Sequence, residues 1–197
     1  MSYLIKAELK EIIDLVTNEV TNLKQKKKNL IIAIDGRCAS GKTTLAQELQ
    51  RKLAGNVIHL DDFFLPFEKR VNDYFKLSDG NIDYERFEKE VINCLKRKQN
   101  FSYQPFNCQS QTFNEPVSFL ASELTIIEGT YSTHPCLKKY YDLCLFLSTT
   151  PNKQLERISK RNNICQLAEF KNKWIVMEEQ YFSTYQIQEK SDLVYET

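Results

Sequence analysis

The sequence predicts an α/β fold in which a parallel sheet is covered by helices on both faces. Apolar runs of strand length alternate with segments whose apolar residues recur at helical spacing. One apolar run, 30–34, leads into a glycine-containing loop and then into a helix. This order is typical of right-handed βαβ units, which hold their strands parallel and place helices against the sheet.

The amino-terminal segment is predicted to be an amphipathic helix that packs on the rest of the domain. Apolar residues occur at mostly helical spacing at Leu4, Ile5, Leu9, Ile12, Ile13, Val16, Val20 and Leu23. The lysines that follow are interpreted as a solvated helix end, favourable with the helix dipole, with contact to nucleic acid or anionic lipid as the alternative. We therefore divide the single globular unit into residues 1–28 and 29–197.

The loop after the first core strand fits the phosphate-binding pattern GxxxxGK[ST] at every fixed position. It reads Gly36, Arg37, Cys38, Ala39, Ser40, Gly41, Lys42 and Thr43, with Thr44 continuing into the helix. The glycines allow backbone N–H groups to approach phosphate oxygens, and the helix adds its positive end. Lys42 supplies charge to the phosphates, and the Thr43 hydroxyl can bind Mg²⁺. The pattern predicts a P-loop NTPase fold; the structural alternative is a strand-to-helix turn with a solvated lysine.

Two later strands are predicted to end in acidic residues. The helix from Lys42 should end near residue 54 at a Gly-Asn stop signal, and the strand 57–60 then leads to Asp61 and Asp62. A second apolar run, 124–127, ends in Glu128. Ligands of parallel α/β sheets bind at the carboxyl ends of the strands, so we expect these carboxylates near the phosphate loop.

The segment between these strands is predicted to lie beside the sheet. Residues 66–81 predict an irregular segment on the binding side, and Asp83 predicts the N-cap of a helix to about residue 98. Two strand-like stretches, 101–106 and 111–117, predict a small β-hairpin.

The last third of the chain is predicted to alternate strand, helix, helix and strand. Residues 142–148 predict a buried strand, and Pro151 opens a helix. A further helix is expected over 168–181, and residues 192–196 predict a closing edge strand.

Phosphoryl transfer requires charge neutralisation, alignment and a group that takes the acceptor proton. We assign Asp61 as the base that takes this proton, and we expect it near the metal. Asp62 is expected to orient the following turn. The structural alternative for both residues is a simple loop start or N-cap. Glu128 follows four apolar residues, where an unpaired carboxylate would be costly unless it met a cation. We therefore assign Glu128 to the Mg²⁺ site, with pairing to a Lys or Arg as the alternative.

Two arginines and two histidines complete the chemically interesting residues. Arg157 and Arg161 are four residues apart, so they project from one helical face and could close over a transferring phosphate; exposed, solvated arginines are the alternative. His59 and His134 have no partnered Ser or Cys and are interpreted as structural. No His or Cys pair has the spacing of a zinc site.

Composition limits the partners and the compartment. The formal net charge is +1, so no global field indicates nucleic acid or a membrane surface. Six scattered cysteines without a CxxC pair are typical of a reducing cytosol. No apolar run approaches the roughly 20 residues that span a bilayer. We expect a cytoplasmic protein that acts on a small molecule and leave homo-oligomerisation open.

Four motifs together resemble the uridine kinase and phosphoribulokinase branch of the P-loop kinases, over roughly residues 29–195. They are Ile34 to Thr44, His59-Leu60-Asp61-Asp62-Phe63-Phe64, Gly80-Asn81-Ile82-Asp83 and Ile127-Glu128-Gly129. The resemblance implies a five-stranded parallel sheet with a helical lid. It also implies that ATP with Mg²⁺ phosphorylates the 5′-hydroxyl of a ribonucleoside.

The resemblance also implies individual roles. Asp61 matches the catalytic aspartate, Glu128 a metal-site acid and Arg161 a lid arginine. Asp83 matches an aspartate that binds ribose hydroxyls, and Tyr103 matches an aromatic residue of the base pocket; with Arg157 they form the expected acceptor site. Asp83 keeps two interpretations, since its position also predicts an N-cap.

Departures from the family pattern concern the acceptor. Uridine kinases place a histidine a few residues beyond the tyrosine, where this chain has Asn107 and Cys108. Asp62 replaces a serine, and Phe64 replaces a tyrosine. The leading hypothesis is a kinase for a nucleoside-like acceptor; the alternatives are a kinase for a vitamin or sugar compound and a non-catalytic nucleotide-binding module. A signalling GTPase is not favoured, because Asn152-Lys153-Gln154 is followed by Leu155 instead of completing the guanine signature.

Overall fold

The computed structural model describes residues 3–70, 81–161 and 164–197, with the backbone alone at 164–166. In chain order the strands are β1 (Leu4–Lys6), β2 (Leu30–Gly36), β3 (Asn56–His59), β4 (Phe101–Tyr103), β5 (Phe106–Asn107), β6 (Thr112–Phe113), β7 (Val117–Phe119), β8 (Leu124–Glu128), β9 (Leu143–Ser148) and β10 (Leu193–Glu196). Six of them form one sheet in the order β1-β10-β9-β2-β8-β3. Every neighbouring pair in this sheet is parallel.

Helices connect these strands. They are α1 (Leu9–Lys26), α2 (Lys42–Leu53), α3 (Tyr84–Phe87), α4 (Asn93–Arg97), α5 (Pro135–Lys138), α6 (Pro151–Arg161), α7 (Ile164–Glu169), α8 (Ile175–Tyr185) and α9 (Ile187–Lys190). A wider π turn joins α3 to α4 at Glu88–Ile92, and another joins α7 to α8 at Phe170–Trp174. Two short 3₁₀ turns, Leu60–Phe63 and Phe67–Lys69, follow β3.

The predicted α/β class with a parallel sheet is confirmed, but the sheet has six strands where five were expected. The extra strand is β1, which occupies the segment predicted to begin the first helix. Helix α1 begins at Leu9, after a capping box in which the Glu8 N–H donates to Glu11 Oε2 at 3.1 Å. A strand of three residues is too short to show an alternating pattern in the sequence. Leu4 and Ile5 also fitted the helical spacing of the apolar residues that follow.

The new strand also changes the position of the last one. β1 pairs with β10, with Leu4 opposite Val194, and β10 pairs on its other side with β9. The prediction that residues 192–196 close the sheet as an edge strand is therefore wrong, because β1 lies outside β10. A pairing between the two ends of the chain has no local signal in the sequence.

Each face of the sheet has its own apolar core. On one face, α1 and α2 contribute Ile12, Val16, Leu45 and Leu49 to a core with β2, β8 and β9. On the other face, residues of the α3–α4 segment and of α8, including Phe87 and Tyr181, pack on β3 and β8. Helices on both faces were predicted. Helix α1 lies within the first core, and the division at residue 28 remains a prediction.

The segment between α4 and β8 differs from the single hairpin predicted. It contains two short antiparallel ladders: β4 pairs with β7, and β5 pairs with β6. The predicted first strand is interrupted at Gln104 and Pro105, because proline has no N–H to donate to a ladder. The carbonyl of Pro105 instead accepts the N–H of Asn114 at 2.8 Å.

The predicted irregular segment before α3 is described only at its ends. Residues 71–80, which include Gly80 of the third motif, lie outside the described residues. The two ends are joined where the Leu65 N–H donates to the carbonyl of Asn81 at 2.7 Å. Across the described ranges, no helix combines the length and apolar character needed to span a bilayer.

Candidate active site

The phosphate loop connects the carboxyl end of β2 to the amino end of α2, as predicted. Gly36 has a φ of 133°, and a Cβ atom built on it would lie 2.0 Å from the carbonyl oxygen of Leu147. Gly41, the N-cap of α2, has a φ of 103°. Only glycine adopts these conformations without strain, and only glycine allows β2 to approach β9 this closely. The local sequence therefore determines the shape of the loop.

Lys42 is folded back over the loop that precedes it. Its side chain donates from Nζ to the carbonyl of Gly36 at 2.8 Å, to the carbonyl of Arg37 at 3.0 Å and to Thr130 Oγ1 at 3.3 Å. All three partners are neutral oxygens. The residue is 8 % exposed, so its ammonium charge stays near the loop, where phosphate oxygens would bind.

A cavity over the loop gathers most of the predicted donor-site residues. Its lining consists of Cys38, Ala39, Gly41, Lys42, Thr43, Thr44, Asp61, Glu128, Gly129, Thr130 and Arg161. Three separate elements meet here: the loop with α2, the turn after β3, and the segment after β8. The expectation that Asp61 and Glu128 lie beside the phosphate loop is confirmed by this geometry.

Asp61 lies at the carboxyl end of β3 against the glycine that follows β8. A Cβ atom built on Gly129 would be 3.2 Å from Asp61 Oδ1. Asp61 is exposed to the cavity, but desolvation by the surrounding protein and the charge of Glu128 together raise its pKa to about 6, against the opposing charge of Lys42. Asp61 is therefore poised between its two protonation states near neutral pH, a property that suits a general base.

Glu128 is held by two donors. The residue is 5 % exposed, and its Oε1 atom accepts a hydrogen bond from Thr43 Oγ1 at 3.2 Å. His59 Nδ1 lies 2.5 Å from the same oxygen. This hydrogen bond is the main reason why the pKa of His59 is raised. The partner of Glu128 is thus a histidine, where the sequence alternative named a Lys or Arg.

Thr43, Glu128 and Asp61 supply oxygen ligands of the kind that Mg²⁺ prefers. Within the described ranges, no group of three or more His, Cys, Asp or Glu side chains forms a complete metal cage. Mg²⁺ in nucleotide sites is usually held by one or two carboxylates, with phosphates and water completing the octahedron. The donor set of this cavity fits that kind of site, in which Thr43 and Glu128 would hold the metal beside Asp61.

Asp35, immediately before the loop, is a fully buried carboxylate with five hydrogen bonds. It accepts the N–H groups of Gly36 at 2.7 Å, Tyr131 at 3.2 Å and Thr133 at 2.9 Å. The hydroxyls of Thr133 and Tyr181 donate to it at 2.8 Å each. Asp35 therefore joins the phosphate loop, the segment after β8 and helix α8. The sequence motif contained Asp35 but assigned it no role.

Helix α8 also holds the first half of the loop through two consecutive glutamates. Glu178 Oε2 accepts the backbone N–H of Cys38 at 2.9 Å, and Glu178 Oε1 accepts Gln154 Nε2 of α6 at 2.6 Å. Burial raises the pKa of Glu178 to about 7, against the opposing charge of Lys42. Glu179 accepts two hydrogen bonds from the Arg37 guanidinium, from Nε at 2.6 Å and from Nη2 at 2.9 Å.

The two predicted phosphate arginines differ in position. Arg161, at the end of α6, lines the cavity. Arg157 instead donates to the carbonyl of Ala39 at 3.1 Å and to Thr197 Oγ1 at 2.8 Å. These contacts make Arg157 a positioning residue of the loop and do not support its assignment to the acceptor. Four-residue spacing placed both side chains on one helical face but could not tell which one packs against the loop.

The predicted acceptor residues make intramolecular contacts near the turn that carries Asp61. Asp83 caps the helix that follows it, since its Oδ1 atom accepts the N–H of Arg86 at 3.0 Å. Tyr103 donates its hydroxyl to Asp62 Oδ2 at 2.8 Å, and burial raises the pKa of Tyr103. The N-cap interpretation of Asp83 is confirmed; its contact with an acceptor remains a prediction.

Arg86 ties these groups to the turn that carries Asp61. One of its terminal nitrogens donates to the carbonyl of Asp62 at 2.6 Å. Its guanidinium carbon lies 4.3 Å from the ring centre of Phe63 and 5.0 Å from that of Phe113. The side chain therefore connects the turn after β3 with the β5–β6 ladder. Near that ladder, Arg70 Nη2 lies 3.5 Å from Sγ of Cys108, a residue of the Asn107-Cys108 pair at which the sequence departs from the family pattern.

Solved structures with the same fold include several that are described as possible or candidate kinases. A possible uridine kinase from Bacillus stearothermophilus superposes with a TM-score of 0.73 at 22 % identity, covering 96 % of this chain and 100 % of that one. A candidate fructose transport system kinase from Silicibacter sp. TM1040 gives 0.68 at 16 %, covering 94 % and 98 %. YFH7 from Saccharomyces cerevisiae, a candidate P-loop kinase with a circular permutation, gives 0.67 at 11 %, covering 97 % and 99 %.

These identities relate the chain to the three proteins by fold. No protein-family model and no curated protein matches the chain. The structural likeness to uridine kinase-like P-loop kinases, which the four motifs predicted, is confirmed at this level.

Proposed function

We propose that this chain is an ATP-dependent kinase that transfers the γ-phosphate to a hydroxyl of a small molecule, with a ribonucleoside of the uridine or cytidine type as the first candidate acceptor. The observation that carries the proposal is the single cavity lining shared by the phosphate loop, Asp61, Glu128 and Arg161. A loop alone would bind a nucleotide; the carboxylate of Asp61 beside it adds a group that can take a proton.

The donor half of the site consists of Lys42 and the loop N–H groups. Lys42 is already directed over the loop by three neutral acceptors, and phosphate oxygens would compete well for its charge. Mg²⁺ held by Thr43 and Glu128 would neutralise charge at the phosphates. Arg161 would approach the same charge from the end of α6.

Asp61 is the proposed base for the acceptor hydroxyl. It lines the cavity with the phosphate loop, and the next residue of its turn, Asp62, contacts Tyr103. An acceptor bound near Tyr103 and Asp83 would direct its hydroxyl at the γ-phosphate, with Asp61 beside that hydroxyl. In-line phosphoryl transfer requires the acceptor oxygen to face the phosphorus while a neighbouring group takes its proton.

The acceptor assignment depends on fewer observations than the reaction. Asp83 and Tyr103 match the family motif, but Asn107 and Cys108 stand in the neighbourhood of the family's histidine, and Arg70 contacts Cys108. Ribonucleosides are therefore the first class to test. Vitamins, sugars and sugar phosphates follow.

The decisive experiment is an acceptor panel. Purified protein is incubated with ATP and Mg²⁺ and each acceptor, ADP release is followed, and products are identified by mass. We expect acceptor-dependent ADP and a product heavier by one phosphoryl group. Lys42→Ala serves as the matched control and should release no acceptor-dependent ADP. If ATP binds but no acceptor stimulates its use, the chain is a nucleotide-binding module and the kinase proposal fails.

A further inference from the structure

His59 and Glu128 are direct neighbours across two parallel strands. In the register of β3 and β8, His59 is the Cα partner of Glu128, at the carboxyl end of both strands. Side chains at paired positions of adjacent strands lie on the same face, and here they meet, with His59 Nδ1 2.5 Å from Glu128 Oε1. The contact is therefore a product of strand register and does not depend on a mobile loop.

The second donor to Glu128 has two tasks when a metal binds. Thr43 Oγ1 also donates to Oε1, at 3.2 Å, but a hydroxyl that ligates a cation must orient one lone pair at the metal while its single proton points at the carboxylate. The carboxylate of Glu128 is buried and lies beside Asp61, so without a donor it would face both a desolvation cost and a like charge. Of the two donors, His59 makes the shorter contact and is not itself an expected metal ligand.

We propose that His59 is a positioning residue for Glu128: its Nδ1–H group holds Oε1 so that the carboxylate keeps one orientation toward the divalent cation of the nucleotide site. The inference rests on the proposed function, because it requires a metal–nucleotide complex at the phosphate loop. It goes beyond that function in giving a role to a histidine that the sequence indicated to be structural.

Two substitutions separate the donor from the imidazole ring. His59→Asn keeps an N–H donor close to the position of Nδ1, whereas His59→Leu removes the donor with little change in size. The side chain of His59 is 40 % exposed, so both variants are expected to fold. His59→Ala is a second variant without a donor and carries the same expectation as His59→Leu.

The test measures metal binding directly, with Mn²⁺ in place of Mg²⁺. Electron paramagnetic resonance reports the free Mn²⁺ that remains when protein and a non-hydrolysable ATP analogue are added. Loss of a hydrogen-bond partner behind a metal ligand typically weakens metal binding by about 10- to 100-fold. We therefore expect a Mn²⁺ affinity at least roughly 10-fold weaker for His59→Leu, and an affinity within about threefold of wild type for His59→Asn.

A double-variant cycle distinguishes positioning from a general structural effect. If His59 acts through Glu128, His59→Leu should cause no further loss of Mn²⁺ affinity in a Glu128→Gln background. Glu123→Gln is the matched control: Glu123 is exposed and precedes the amino end of the same strand. This control should bind Mn²⁺ like the wild type.

The outcomes that would overturn the inference are separate from those that would overturn the proposed function. Wild-type affinity in His59→Leu, or additive losses in the double variant, would exclude positioning while leaving the kinase proposal intact. Wild-type protein that binds no Mn²⁺ in the presence of nucleotide would remove the metal site itself, and both ideas with it.

Discussion

Glu178→Gln should change how the stability of the protein depends on pH. Glu178 is 3 % exposed, and burial raises its pKa from 4.5 to about 7 in the folded chain. In the unfolded chain the carboxylate is hydrated and ionises near its ordinary value. The folded state therefore binds the proton more tightly, and ionisation of Glu178 opposes folding.

The sign and size follow from proton linkage. A raised folded-state pKa gives stability that is fully present below the unfolded pKa and is lost as the pH rises through the folded pKa. Between pH 4.5 and a pH above 7, the wild type should lose about 3 kcal/mol relative to Glu178→Gln, since one pKa unit corresponds to about 1.4 kcal/mol. Glutamine does not titrate, so this part of the pH dependence should disappear in the variant.

Urea unfolding at several pH values between 5 and 8 measures the effect. The quantity of interest is the difference in unfolding free energy between wild type and Glu178→Gln at each pH, because all other titrating groups cancel. Glu189→Gln, at an exposed position of α9, is the control and should follow the wild type in parallel. Parallel curves for wild type and Glu178→Gln would refute the argument that burial keeps this carboxyl protonated.

Three further predictions concern the site. Asp61→Asn should lower turnover by roughly 10²- to 10⁴-fold while ATP binding persists; an unchanged rate in a steady-state assay would remove Asp61 from the role of base. Asp35→Asn replaces an acceptor of five hydrogen bonds with a group that is partly a donor, and should lower the unfolding free energy by roughly 2–3 kcal/mol in urea titrations; less than about 0.5 kcal/mol would contradict its role as a junction. Arg161→Ala should reduce kcat, whereas Arg157→Ala should mainly lower the melting temperature, because Arg157 hydrogen-bonds to the loop carbonyl of Ala39 and to Thr197. A loss of kcat in Arg157→Ala with a loss of stability in Arg161→Ala would contradict both assignments.

The parts of the site that the sequence predicted are those with a local cause. The phosphate loop depends on the φ angles that Gly36 and Gly41 adopt, and these preferences act within the loop itself. The positions of Asp61 and Glu128 followed from one general rule, that parallel strands end at the same edge of the sheet. The N-cap at Asp83 was predictable because it is also local: the N–H group that it accepts belongs to a residue three positions later.

Other contacts depend on pairings between distant segments. His59 meets Glu128 because β3 pairs with β8 in one register, and a shift by one residue would send the two side chains to opposite faces. Glu178 reaches Cys38 across 140 residues of chain, so neither residue carries a local sign of the other. In the sequence, Glu178 stands among apolar residues of a predicted helix, but this position does not indicate which residue it contacts.

The sequence by itself determined the α/β class, the shape of the phosphate loop and the acids at two strand ends, because glycine geometry, hydrophobic periodicity and strand alternation act over a few residues. Only the tertiary structure decided that β1 lies outside β10, that His59 holds Glu128 and that Arg157 supports the loop while Arg161 lines the cavity. These depend on the register of strands and on which face of a helix packs, and both are set by the whole core.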